Sequence, residues 1–89
     1  MGYSLSPLRE SKFQKNMREA YEAEGCVVLK LDPRASAIPK GFPDLLVIGH
    51  NGEVTFIEAK SATGVVEPAQ KYWHDLLRKM GHNVQVVKA

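Results

Sequence analysis

Three ionisable side chains stand in stretches that otherwise read as apolar strand: Asp44 in GFPDLLVIGH, and Glu58 and Lys60 in VTFIEAK. Residues two apart on a strand share a face, so Glu58 and Lys60 point the same way. The second run carries Val54 and Phe56 on one face and Ile57 and Ala59 on the other, the pattern of a central strand covered on both sides. Charge buried there is costly unless it is paired or bound to a metal. Two carboxylates suit a hard cation such as Mg²⁺ or Mn²⁺, which takes oxygen ligands, and the Ala59 backbone carbonyl can add a third oxygen. That set points to metal-dependent hydrolysis of a phosphodiester. Lys60 would lie beside the attacking water and the scissile phosphate, where a cation offsets developing negative charge. The same residues also fit a buried Glu–Lys pair that only anchors a hairpin, and the short spacing leaves both readings open.

The elements that must position these groups can be read around them. Asn51-Gly52 lies between the two apolar runs, a strong signal for a β-hairpin. For Asp44 and Glu58 to face one cavity across antiparallel strands, the loop needs an odd number of residues. A loop of His50, Asn51 and Gly52, closed by Gly49 opposite Glu53, meets that condition and sets Asp44 opposite Glu58, with Gly52 in the left-handed conformation. His50 is then expected in solvent at the tip.

Before the hairpin, Ser6-Pro7 opens a helix that Gly25 closes, with Phe13, Met17, Ala20 and Tyr21 at helical spacing. Glu10 falls within that inward stripe. It either complements the helix dipole or is aimed at the site, binding a second ion through water or orienting Lys60; Gln14 lies beside it one turn on. Cys26 to Leu31 reads as a strand ended by Asp32-Pro33, and Cys26 as a small apolar residue in it. The Asp32–Lys40 loop leads to the site, and its Arg34 and Lys40 are candidates for phosphate contact. After a link containing Gly64, Pro68 opens a second helix. There Ala69, Tyr72, Trp73, Leu76, Leu77 and Met80 trace the expected apolar face, and Gly81 ends it. Gln70 lies beside that face in the first turn, where its amide can reach Lys60, a water or a phosphate. His74 and His82 have no metal-ligand partners at recognisable spacing. Val84, Val86 and Val87 make a last strand, giving the order α-β-β-β-α-β.

Pro43-Asp44 followed by Glu58-Ala59-Lys60 resembles the signature of PD-(D/E)XK nucleases. The wider string is similar to the VRR-NUC branch: Gly-Phe-Pro-Asp-Leu, then Phe-Ile-Glu-Ala-Lys, a glycine, and a glutamine, Gln70, opening a helix. The pattern can be laid over Glu10 to Val87. The resemblance implies a restriction-endonuclease-like α/β fold, a mixed central sheet flanked by helices, and divalent-metal cleavage of DNA. It implies a homodimer presenting two sites, as suits branched or junction DNA. The family pattern also places a glutamate early in its first helix, which favours the site-directed reading of Glu10. It often has Ser or Thr where Glu67 stands, so the second helix is expected to have a weaker cap and a negative charge near the DNA path.

The totals agree with one small domain. The chain has 89 residues, 44% hydrophobic and 25% charged, which is ordinary for a globular protein and excludes disorder. A formal charge of +2 neither identifies nor forbids a nucleic-acid binder, because clustering on one face decides that. One cysteine precludes an internal disulfide. No signal peptide is read, and no apolar run approaches the roughly 20 residues needed to cross a bilayer. The expectation is a soluble, cytoplasmic or otherwise intracellular domain (in the host cell if virus-encoded) with no membrane partner. The rival to a nuclease is a non-catalytic DNA-binding module, or an assembly subunit, that kept the fold.

Overall fold

The computed structural model describes residues 10–32, 34–35 and 37–89, without the side chains of residues 10 and 11. The elements are α1 (Glu10–Ala23), β1 (Val27–Lys30), β2 (Leu45–Ile48), β3 (Val54–Lys60), α2 (Pro68–Lys79) and β4 (Asn83–Lys88). This is the expected order. The expected Ser6-Pro7 helix start lies outside the described residues.

The strands form one sheet in the order β1-β2-β3-β4. β1, β2 and β3 are antiparallel neighbours, and β4 returns parallel to β3. A parallel return needs a crossover, and α2 supplies it. β3 is therefore central, and Phe56 through Lys60 are all buried, as its two apolar faces require. Side chains alternate across the sheet. Leu45, Val47 and Ile57 form one core cluster with Met17 and Tyr21 of α1 packed on it. Phe56, Leu77 and Val84 form the other with Phe42 and Leu46. Full burial of a side chain such as Leu45 or Ile57 contributes about 1.5–3 kcal/mol, so β2 and β3 hold their register firmly.

The hairpin has the predicted three-residue loop. Ile48 pairs with Val54, the Gly49 N–H donates to the Glu53 carbonyl (2.9 Å), and the Gly52 N–H donates to the Gly49 carbonyl (3.0 Å). Gly52 takes φ +77°, which a β-carbon would resist. His50 is exposed at the tip, as expected, and its Nε2 lies 2.9 Å from the Glu24 carbonyl at the end of α1.

α2 departs from its expected orientation. Ala69, Tyr72 and Met80 are exposed, Tyr72 at 61% and Met80 at 69%, while the buried or half-buried residues are Gln70, Trp73, His74, Leu76 and Leu77. Gln70, Trp73, His74 and Leu77 have the i, i+3, i+4, i+7 spacing of a packed helical face. The face is turned toward the polar residues because the sheet beneath them offers polar partners. The cap is also better than expected. Glu67 is the extended N-cap residue and shares a capping box with Gln70, whose Oε1 accepts the Glu67 N–H at 2.9 Å. Pro68 follows at the first helical position, where a missing N–H costs nothing.

Candidate active site

The site lies at one end of the sheet, where β3 finishes and β2 begins. The segment Gly41-Phe42-Pro43-Asp44 is held against α2 before β2 starts. Gly41 has φ +88°, and a β-carbon there would stand 2.7 Å from the Ala69 carbonyl carbon. Only glycine permits both the conformation and the approach. Phe42 packs edge-on against Phe56 and Trp73, with centroids 5.7 Å and 5.4 Å away. Trp73 Nε1–H donates to the Lys40 carbonyl at 3.2 Å. Trp73 thus fastens the loop to α2 rather than offering a face for base stacking.

Asp44 is fixed through its backbone on both sides. Its N–H donates to the Ile57 carbonyl of β3 (3.0 Å), and its carbonyl accepts the Leu31 N–H (2.8 Å). Regular pairing of β2 with β3 stops at Leu45–Ile57. The expected face-to-face pairing of Asp44 with Glu58 is absent from the ladder. Instead Asp44 Oδ2 accepts the Ala59 N–H at 2.8 Å, so the carboxylate extends the ladder where the backbone leaves it. Pro43 precedes it and has no N–H to donate, which accounts for the interruption. A strand residue directs its N–H and C=O to the same side. The Ala59 carbonyl is therefore turned toward the strand end that carries Asp44.

Glu58 and Lys60 are buried, at 1% and 6% exposure. Glu58 Oε1 lies 3.0 Å from His74 Nε2, and its Oε2 lies 3.4 Å from Gln70 Nε2. Gln70 therefore spends its oxygen on the start of α2 and its amide on Glu58. His74, 2% exposed, is a site-lining residue not expected from the sequence. Its signal lies in its spacing, four residues after Gln70 on the same helical face. Burial lowers the pKa of His74 below the usual imidazole value; Arg78 and Lys60 act in the same direction, against Asp75 and Asp44. A neutral ring with its hydrogen on Nε2 donates to Glu58. The turn in which the Gly64 N–H donates to the Ser61 carbonyl (3.0 Å) covers the Lys60 stem; a β-carbon on Gly64 would come 3.3 Å from its Cδ.

The other expected residues are spread more widely. The backbone of Glu10 opens α1, while its side chain lies outside the described residues. Arg34 is exposed and forked onto Asp32, with Nε 3.1 Å from Oδ1 and Nη2 3.0 Å from Oδ2. This pairing lowers the pKa of Asp32 and raises that of Arg34. Lys40 is exposed at the loop end beside α2. Gln14 is half-buried on α1.

The donors available at the strand end are all oxygen: Asp44, Glu58 and the Ala59 carbonyl. No group of three or more His, Cys, Asp or Glu side chains is gathered for a metal among the described residues. Two carboxylates fall short of an all-protein cage, but they match Mg²⁺, which binds through one or two carboxylates together with water and phosphate oxygens. The residues present fit such an ion.

The family model described as the VRR-NUC domain matches residues 2–89. A solved structure described as a VRR_NUC domain is 38% identical, with TM-score 0.78, covering 90% of this chain and 84% of that one. A VRR_NUC domain protein is 21% identical, with TM-score 0.74, covering 96% of this chain and 81% of that one. The structure of Hjc, a Holliday junction resolvase from the archaeal hyperthermophile Archaeoglobus fulgidus, is 15% identical with TM-score 0.65. It covers 88% of this chain and 65% of its own. Among curated proteins none matches. The mixed four-stranded sheet between two helices is the restriction-endonuclease-like fold of these neighbours.

Proposed function

The chain belongs to the VRR-NUC family, and from that premise we propose that it is a metal-dependent endonuclease hydrolysing DNA phosphodiester bonds. The observation that carries this reading is the bond from Ala59 N–H to Asp44 Oδ2, 2.8 Å, which sets one carboxylate against the strand bearing buried Glu58 and Lys60. Asp44, Glu58 and the Ala59 carbonyl would hold Mg²⁺ or Mn²⁺. When bound, that ion offsets the negative charge gathering on the phosphoryl oxygens. Glu10 is assigned a lesser part, through water or a second ion.

The protein's own groups do the rest. Lys60 brings a cation beside the scissile phosphate and orients the attacking water, in a place where burial strengthens its field. Gln70 and His74 keep the Glu58 carboxylate from turning. Lys40 and Arg34 are the loop contacts for phosphate, Arg34 the weaker because Asp32 already engages it. A chain of this size covers little of a duplex, so the substrate assigned is branched or junction DNA, cut by a homodimer inside the cell.

A cleavage panel of single-stranded, duplex, flap and four-way-junction DNA with Mg²⁺, Mn²⁺ or EDTA tests the reading. The junction or flap is cut with either metal and spared in EDTA. No cleavage of any substrate, with binding retained, gives the chain to the rival: a non-catalytic DNA-binding module or an assembly subunit. The support for that rival is the hold of His74 and Gln70 on Glu58, which would serve an anchor equally well.

A further inference from the structure

A second charged feature lies on the α1 side of the sheet. A cavity of about 390 Å³ is lined by Lys12, Gln14, Lys15 and Arg18 of α1, Lys30 of β1 and Leu45 of β2. Four of these six residues are cations and none is acidic. Arg34 pairs with Asp32 and Lys71 with Asp75, while none of the four cations forms a salt bridge with a described acid. Lys30 comes nearest to one, through its field on Asp32. Two polar atoms in the wall, Arg18 Nε and Gln14 Oε1, are buried without a hydrogen-bond partner among the described residues. Such groups are uncommon in a folded protein and ask for a missing partner.

The cavity also has a place relative to the site. Lys30 pairs with Leu45 across the β1–β2 ladder, and the next residues along are joined by the Leu31 N–H to the Asp44 carbonyl at 2.8 Å. Leu45 in the cavity wall directly follows Asp44, so the cavity lies one residue along the chain from the site.

We propose that this groove is a phosphate track: Lys12, Lys15, Arg18 and Lys30 bind the backbone of the DNA arm that leads away from the site. The proposal rests on the nuclease reading for the identity of the polyanion and deepens it by naming where the substrate lies. Cations spaced along a groove match the repeating charge of a nucleic-acid backbone and carry no base readout, so the interaction is independent of sequence.

The test is fluorescence anisotropy of a labelled duplex and a labelled single strand, in EDTA, as a function of salt. The proteins are wild type, Lys12→Gln, Lys15→Gln, Lys15→Gln/Arg18→Gln, and Lys79→Gln at the far end of α2 as control. Log affinity against log salt flattens by about 0.9 for each duplex phosphate that is no longer neutralised. The double variant should bind at least tenfold more weakly, with the slope shallower by nearly two such steps, and Lys79→Gln should match wild type. Lys12 and Lys15 are exposed, so their single variants report even if the double variant does not fold. Wild-type slopes in Lys12→Gln and Lys15→Gln overturn the track. Displacement of DNA by polyglutamate at equal charge concentration overturns its assignment to nucleic acid. Flattened slopes in a protein that cuts nothing in the cleavage panel keep the track and remove the nuclease.

Discussion

Replacing His74 with leucine removes one of the contacts that hold Glu58. The carboxylate is 1% exposed, with one oxygen 3.0 Å from His74 Nε2 and the other 3.4 Å from Gln70 Nε2. The second distance is beyond the usual range for an N–H···O bond, and that bond is weak. Leucine keeps most of the volume of the ring, so the cavity cost is small. The substitution removes a hydrogen bond to a buried charged group, about 1.5–3 kcal/mol. We expect a destabilisation of about 2–3 kcal/mol, a factor of roughly 30 to 140 in the unfolding constant. Urea denaturation of the metal-free protein should show the midpoint fall by about 1–2 M for a slope of roughly 1.5 kcal/mol/M. Glu58→Gln should remove the need for the donor, so adding His74→Leu to it should cost at least about 1 kcal/mol less than in wild type, a coupling of the size seen between touching residues. Two outcomes refute the reasoning: a wild-type midpoint in His74→Leu, or strict additivity in the double variant.

Asp44→Asn and Lys60→Ala should each abolish cleavage in the panel while circular dichroism stays native and DNA binding is largely kept; cleavage at wild-type rate by either variant removes these residues from the site, and unfolding favours a structural ion pair. Gly52→Val should cost about 1–2 kcal/mol by urea denaturation, because a β-branched residue resists φ +77° although nothing lies within 4 Å of its β-carbon position; an unchanged midpoint would contradict this. The pKa of His74 is lowered from 6.5 in the folded protein, so the unfolded chain binds the proton first on acidification. Stability should therefore fall as pH drops from about 6.5 toward the folded value, in wild type and not in His74→Leu; parallel pH–stability curves for the two proteins would exclude the ring as the cause.

The hairpin was legible because its information is local. An Asn-Gly turn and a period of two leave few registers that bury both Leu45 and Ile57, and Gly49 opposite Glu53 follows from choosing the three-residue loop. Asp44 was legible as a site residue but not in its geometry. Its carboxylate turns into the ladder because Pro43 leaves a gap there, and that depends on where β2 stops rather than on spacing. α2 misled for a different reason. Tyr72 and Met80 look like core residues by type, yet the buried stripe runs through Gln70 and His74, whose polar atoms are satisfied by Glu58 from a strand twelve to sixteen residues away in the chain. Hydropathy alone assigns polar residues to solvent; only a partner across the fold reverses that. The same blindness hid the cap, since Glu67 is a poor N-cap by itself and becomes adequate through Gln70.

The parallel return of β4 has a consequence for order of arrival. β3, with Glu58 and Lys60, leaves the ribosome before α2 brings Gln70 and His74, and before β4 pairs residue for residue from Thr55–Asn83 to Lys60–Lys88. Until then one edge of β3 is open, and Glu58 lacks the two α2 side chains that bond it. Non-local pairing of this kind bears its loop-closure entropy before any interaction returns it. The proposed site is therefore incomplete in the nascent chain until α2 and then β4, through Lys88, have emerged.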